Sequence, residues 1–164
     1  MNMRPDSSAN INNEACAVTI RRGELGHIDQ IAALFDAYRL FYRRPLDPVA
    51  ARRFIEQRIQ RDESVIFFAV RDEQALGFTQ LYPVFSSAAL RRLWLLNELF
   101  VAPQARRSGV ARALVMRAEQ WARQTEACGL FLETAVDNLP AQALYKSMGY
   151  VRDIEFYRYD RTVD

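Results

Sequence analysis

The sequence predicts a mixed α/β domain. Three observations carry that prediction: an amphipathic helical pattern near the start, two β-rich apolar runs joined by a polar turn, and strands alternating with helices through the second half. A chain of 164 residues, half of them hydrophobic, makes one domain of ordinary size. Such a domain buries roughly 70% of the surface its unfolded chain exposes.

Residues Ala17 to Arg22 predict a short strand closed by Gly23 and Gly26. Ile28, Ile31, Leu34, Phe35, Tyr38, Phe41 and Tyr42 then recur at helical spacing, and Pro45 and Pro48 break the helix they predict. Asp47 is placed to cap a second helix, with Pro48 at its first position and its end near Gln60. Ser64–Val70 and Leu76–Val84 predict a hairpin around Arg71-Asp72-Glu73-Gln74. Leu93–Val101 predicts a strand stopped by Pro103, and Gly109 opens a long helix with Val110, Leu114, Val115, Ala118, Trp121 and Ala122 on its apolar side. Leu130–Ala135 predicts a strand, Pro140–Met148 a short helix ended by Gly149, and Phe156–Arg161 a last strand. The order is β-α-α-β-β-β-α-β-α-β. The hairpin implies antiparallel pairing and the later alternation parallel pairing.

Composition narrows the function. A formal charge of +2 with no aromatic-interleaved basic stripe argues against nucleic acid as a partner. No apolar run approaches the ~18 residues that span a bilayer, so no membrane role is expected. Cys16 and Cys128 lack metal-ligand spacing, so two free thiols and no metal are expected. The polar stretch through Glu14 lacks a signal peptide's apolar core. A flexible tail over residues 1–15, one domain over 16–164 and a cytoplasmic location are the expectations.

The strongest chemical segment is Val101-Ala-Pro-Gln-Ala-Arg-Arg-Ser-Gly-Val-Ala-Arg112. A strand feeds a tight turn, and the turn opens a helix whose first N–H groups have no partner within it. The helix dipole adds partial positive charge at the same point, which suits a pyrophosphate. Gly109 keeps side-chain bulk off that approach, Ala111 is the next smallest choice, and Arg106, Arg107 and Arg112 add charge. Neither a P-loop nor a dinucleotide fingerprint is present.

The pattern Arg106-x-x-Gly109-x-Ala111 resembles the Gln/Arg-x-x-Gly-x-Gly/Ala signature of the GNAT superfamily of acetyl-CoA-dependent N-acetyltransferases. A second segment matches at the expected distance. Leu130-Phe-Leu-Glu-Thr-Ala-Val-Asp-Asn138, then Ala141, Leu144-Tyr145 and Gly149-Tyr150, resembles that superfamily's strand, Asn, Leu-Tyr helix and Gly-aromatic sequence. The resemblance covers roughly residues 17 to 161. Around Leu81-Tyr82-Pro83 and Trp94–Val101 it is nearest the spermidine/spermine and small histone/polyamine acetyltransferases.

The resemblance implies a sheet splayed between its fourth and fifth strands, with the pantetheine arm of acetyl-CoA paired to backbone of Phe100 and Val101. It implies that Arg106, Arg107, Ser108, Gly109, Val110, Ala111 and Arg112 hold the pyrophosphate, that Asn138 contacts the coenzyme, and that Tyr145 protonates the leaving thiolate. Taken alone, Tyr145 also fits a core tyrosine and Asn138 a helix cap.

Acetyl transfer to an amine needs a neutral amine, although a free alkylamine has a pKa near ~10. In the polyamine subgroup the Asn97-Glu98 pair often reads Glu-Asp, so an amide stands at Asn97 where a carboxylate is usual. Strict alternation places Glu98 on the other face of the strand, yet an acid in an apolar run is costly unless paired or functional. Glu133 matches the glutamate that ribosomal-protein alanine acetyltransferases are thought to use. Glu98, Glu133 and a water chain therefore all stand as the base. Tyr38 and Tyr42 fit core packing or the acceptor border, and His27 a surface role. Asp36 and Glu56 are the acids available to a cationic acceptor. A small-molecule amine or a protein lysine is the expected acceptor, with a non-catalytic acyl-CoA sensor as the rival. A homodimer exchanging the Phe156–Tyr159 strand is the expected assembly.

Overall fold

The computed structural model describes residues 17–163. Five strands form one sheet in the order β1-β2-β3-β4-β5: β1 Thr19–Arg22, β2 Val65–Arg71, β3 Gln74–Ser86, β4 Arg91–Val101 and β5 Gly129–Leu132. The first four pair antiparallel, while β4 and β5 are parallel. A parallel neighbour needs a crossover, and α3 (Val110–Gln124) supplies it.

Helices cover both faces. α1 (Ile28–Phe41) and α2 (Pro48–Gln60) pack on one face, where Ile31, Leu34, Phe35, Ala51 and Ile55 meet Ile66, Phe68, Val70, Phe78 and Phe100. α3 covers the other, where Leu114, Val115 and Ala118 meet Val65, Phe67, Leu81, Trp94 and Leu96. The predicted α2 cap forms, with Asp47 accepting from the Ala50 N–H at 2.9 Å and Pro48 at the first position. Such a cap stabilises a helix by about 1 kcal/mol. The hairpin turns at Asp72 and Glu73, both at positive φ, as a two-residue turn between twisted strands requires.

One irregularity reorganises β4. The β3–β4 register pairs Gln80 with Glu98 but Leu81 with Leu96, so Asn97 is an extra residue, a β-bulge. The bulge reverses the phase of the strand. Before it, Trp94 and Leu96 point into the α3 core. After it, Leu99 and Val101 do so instead, and Phe100 joins the α1–α2 core. Thr79 Oγ donates to the Glu98 carbonyl at 2.8 Å, stitching the bulge to β3.

β5 is shorter than predicted. It pairs with β4 only at Leu93–Leu96, so the two strands part from Asn97 onward. The expected last strand at Phe156–Arg161 does not form, and residues 151–163 carry no strand. Asp153 Oδ1 instead accepts from the N–H groups of Glu155 and Phe156, at 2.8 and 3.1 Å. Local bonds of this kind compete with a sheet ladder for the same donors. α4 (Leu139–Ser147) ends before Gly149, whose φ is +88°. The expected tail over residues 1–15 and Cys16 lie outside the described residues.

Candidate acetyl-transfer site

The parting of β4 and β5 opens a cleft of about 320 Å³ lined by Tyr38, Tyr42, Leu95, Leu96, Asn97, Glu133, Thr134 and Ala135. Tyr38 on α1 and Tyr42, which caps the C-terminus of that helix, have ring centroids 4.9 Å apart and form one wall of the cleft. Tyr38 also meets Phe78 and Phe100 edge-on. Tyr38 therefore both packs against the sheet and lines the cleft.

The bulge corrects the expectation for Glu98. Strict alternation would send its side chain to the α3 face with Leu96, but the extra residue turns it to the α1–α2 face beside Phe100. Asn97 Nδ2 donates to Glu98 Oε1 at 2.6 Å, so the amide on the cleft wall and the carboxyl behind it form one unit. Glu98 is only 6% exposed, and its Oε2 has no hydrogen-bond partner. Burial lifts the carboxyl to about 7, against a smaller opposing effect of the Asn97 bond. Tyr38 on α1 and Tyr82 on β3 are both raised, first by burial and next by the Glu98 charge.

Glu133 follows the end of β5 and lines the cleft, but its side chain is half exposed and ion-paired with Arg158. Tyr145 on α4 is buried in the α3-side core, its phenol pushed up to about 12 by burial and then by Tyr42. It is therefore protonated throughout the neutral range. Asn138 caps α4, its Oδ1 accepting from the Ala141 N–H at 3.3 Å.

At the other end of the gap, the arginine turn has the expected form. Gly109 caps α3 at φ +84° with open space where a Cβ would stand, and no side chain caps the helix. Ser108 Oγ donates to the Ala105 carbonyl at 2.6 Å and fixes the turn. Arg112 reaches Ser147 on α4, at 2.7 Å. Arg106 donates to the Val101 carbonyl at 3.2 Å and stacks over Phe41, which ties the turn to the end of α1. Arg107 adopts φ +57°. Val110 is buried and anchors the first turn of α3, while Ala111 is half-buried. The donors and the room for a pyrophosphate are both present.

Other expectations separate from the cleft. Asp36 is buried and accepts from Arg39 and from the Asp47 N–H, both at 3.0 Å, so it holds the α1–α2 connection. Glu56 pairs with Arg52 on the exposed side of α2. His27 Nδ1 accepts from the Glu24 N–H and its ring leans on Phe68, as a structural residue would. Cys128 is an exposed free thiol. Among the described residues no cluster offers a metal site and no helix is long and apolar enough to cross a membrane. Sequence reasoning missed Gln80 and Ser64, which are buried and bonded to each other at 2.7 Å. The signal was there, since Gln80 is an amide inside the apolar run Leu76–Val84.

Known proteins share this arrangement. Residues 31–150 match the model of the acetyltransferase (GNAT) family. The chain is 40% identical to the Bacillus subtilis protein described as an uncharacterized N-acetyltransferase, YhfO, covering 87% of this chain and 95% of that one. It is 32% identical to the Acinetobacter haemolyticus aminoglycoside N(6')-acetyltransferase type 1 over 42% of this chain and 48% of that one. A solved structure described as a probable acetyltransferase superposes with a TM-score of 0.84 at 44% identity, covering 89% of this chain and 98% of that one. The fold, the two motifs and these relatives agree: the chain belongs to the GNAT family of acetyltransferases.

Proposed function

We propose that the chain moves an acetyl group from acetyl-CoA to a primary amine by direct attack within a ternary complex. The observation that carries this reading is the cleft itself. It opens where β4 leaves β5 and is backed by a buried carboxyl one hydrogen bond behind its wall. The arginine turn that opens α3 receives the pyrophosphate, and the gap beside Phe100 and Val101 receives the pantetheine arm.

The incoming ammonium gives a proton to Glu98, directly or through one water, within the reach a general base needs. The amine nitrogen then bonds to the carbonyl carbon, the carbon–sulfur bond breaks, and the thiolate takes the phenol proton of Tyr145. The acetylated nitrogen sheds its second proton, which restores the phenol. Glu133 is the weaker choice for the base, because its side chain is half exposed and already engaged by Arg158.

A small-molecule amine is the preferred acceptor over a protein lysine, supported by the aminoglycoside acetyltransferases among the relatives and by a cleft of small volume. Polyamines and amino acids stay within that class. Incubating the protein with acetyl-CoA and a panel of amines, with mass-spectrometric readout, tests the proposal. A gain of one acetyl group on a panel member supports it, whereas coenzyme binding without transfer to any amine favours an acyl-CoA sensor.

We also propose that one domain spans residues 16–164, that it acts in the cytoplasm, and that two copies pair through their C-terminal segments. The exposed Val151, Ile154, Phe156, Tyr157 and Tyr159 support that pairing.

A further inference from the structure

Two residues paired across β3 and β4 each carry a buried side-chain oxygen without a hydrogen-bond partner. Gln80 and Glu98 are register partners. Both side chains stand on the α1–α2 face, Gln80 in step with Phe78 and Glu98 in step with Phe100. Partners of this kind place their Cβ atoms about 5 Å apart. Glu98 Oε2 and Gln80 Oε1 are both buried and unpartnered. An orphaned buried acceptor is costly, so two on paired residues call for an explanation.

Ser64 supplies it. Gln80 Nε2 donates to Ser64 Oγ at 2.7 Å. Ser64 immediately precedes β2, which flanks β3 on the side away from β4. An amide whose nitrogen is drawn toward β2 turns its oxygen toward β4, where Glu98 stands. We propose that Gln80 is a positioning residue for Glu98: anchored by Ser64, its carbonyl oxygen faces the carboxyl and accepts the hydrogen bond of the protonated form. Asn97 holds one carboxyl oxygen from the cleft side and Gln80 meets the other from the sheet side. The proton taken from an amine is thus received into a prepared bond, and ionisation of Glu98 is resisted by the facing carbonyl dipole.

The other groups around the carboxyl do not take this part. Tyr38 faces it from α1 and Tyr82 from β3, both as neutral phenols, while Arg58 of α2 and Glu63 act on Tyr82. The inference rests on Glu98 as the base only for its catalytic meaning; the Gln80–Glu98 relationship is readable without turnover.

The test is a ¹³C NMR titration of the full chain labelled at glutamate carboxyl carbons, with Glu98→Gln identifying the Glu98 resonance. Gln80→Met keeps the volume and removes the acceptor, and the Glu98 midpoint should fall by about one pH unit. Ser64→Ala, which frees the amide to turn its nitrogen toward the carboxylate, should lower it in the same direction. An unchanged midpoint in folded Gln80→Met overturns the proposal and leaves Gln80 as packing. Should Gln80→Met fail to fold, Ser64→Ala decides alone, and an unshifted midpoint there overturns it equally. The pH profile of kcat/KM separates the two readings. If Glu98→Gln keeps the acidic limb, the base assignment fails, while the carboxyl titration still judges Gln80.

Discussion

Asn97 and Glu98 are adjacent in sequence yet hydrogen-bonded through their side chains, with Asn97 Nδ2 donating to Glu98 Oε1 at 2.6 Å. Neighbours in a regular strand point to opposite faces, so this contact exists only because of the bulge. It gives a buried acid an amide contact at the cleft wall without placing its charge there.

The pH dependence of turnover follows from that acid. Glu98 is raised to about 7 by burial, and a base must be ionised to accept a proton. The rate should therefore rise with pH through about 7 and then level off. Glu98→Gln should lose most of kcat/KM together with the acidic limb, while Glu133→Gln keeps both. A pH–rate series on the two variants checks this, and the reverse pattern moves the base to Glu133.

The same shift has a consequence for stability. From an ordinary value of 4.5 to a folded value of about 7, the folded protein holds a proton that the unfolded chain has released. Stability attributable to this group therefore falls as pH rises through that window. Glu98→Gln should be more stable than wild type at pH 8 by an amount on the order of 3 kcal/mol, with a higher Tm, and the gap should close toward pH 5. Thermal denaturation at the two pH values measures it.

Tyr145 stays protonated at every working pH, since burial pushes it up to about 12. Tyr145→Phe should keep coenzyme affinity and lower turnover by roughly 10²-fold, the low end for loss of a general acid. Single-turnover kinetics separate the two effects. Intact turnover would make Tyr145 a packing residue.

Gly109 adopts φ +84° with open space around it. Backbone conformation, not crowding within the protein, thus limits its replacement in the free chain. A left-handed conformation costs a non-glycine residue roughly 1–2 kcal/mol. Gly109→Val should also push a side chain into the pyrophosphate's approach. Wild type should bind acetyl-CoA at about −6 to −8 kcal/mol, and the variant at least tenfold more weakly by calorimetry. Equal affinity in a folded variant would remove the turn from the coenzyme site.

Gly77 is the opposite case. A Cβ there would stand 2.5 Å from the Phe100 carbonyl oxygen and 3.1 Å from the Val101 Cα. Both are backbone atoms of β4, so β3 and β4 must separate to admit a methyl group. Gly77→Ala should lose about 2 kcal/mol, in the range of overpacked cores, with a fall of several degrees in Tm. Differential scanning calorimetry reads the change.

Most of the fold was legible because local chemistry and periodicity agreed. Asp47-Pro48 announced α2, Gly109 announced α3, and the apolar run ending at Val101 announced β4. Glu98 was legible as an anomaly, an acid among apolar residues, but its face was not. Alternation is the only guide in a sequence, and one inserted residue, held by the Thr79 bond to the Glu98 carbonyl, overrides it. The length of β5 failed for a related reason. Leu130–Ala135 looks uniformly strand-like, while pairing ends at Leu132, opposite Leu96 and just before the bulge residue of β4. The segment Phe156–Arg161 had the alternation of a strand, but no ladder forms there, and the Asp153 side chain takes the Phe156 amide at its start. Asp36 looked like a free acid; only the fold shows that it ties Arg39 to the start of α2.

Because of the extra residue at Asn97, β4 is spelled in two reading frames. Even-numbered residues through Leu96 face one hydrophobic layer, and even-numbered residues from Glu98 onward face the other. Removing Asn97 would therefore close the ladder into a regular one, because Leu96 and Glu98 already pair with the consecutive residues Leu81 and Gln80. Phe100 and Ala102 would stay with α1 and α2, and Leu99 and Val101 with α3, while the amide that reaches Glu98 from the cleft wall would be lost. The extra residue thus furnishes the cleft and leaves the layout of the core to the rest of the strand, so a chain lacking Asn97 should keep both hydrophobic layers and lose only what the inserted amide does for Glu98.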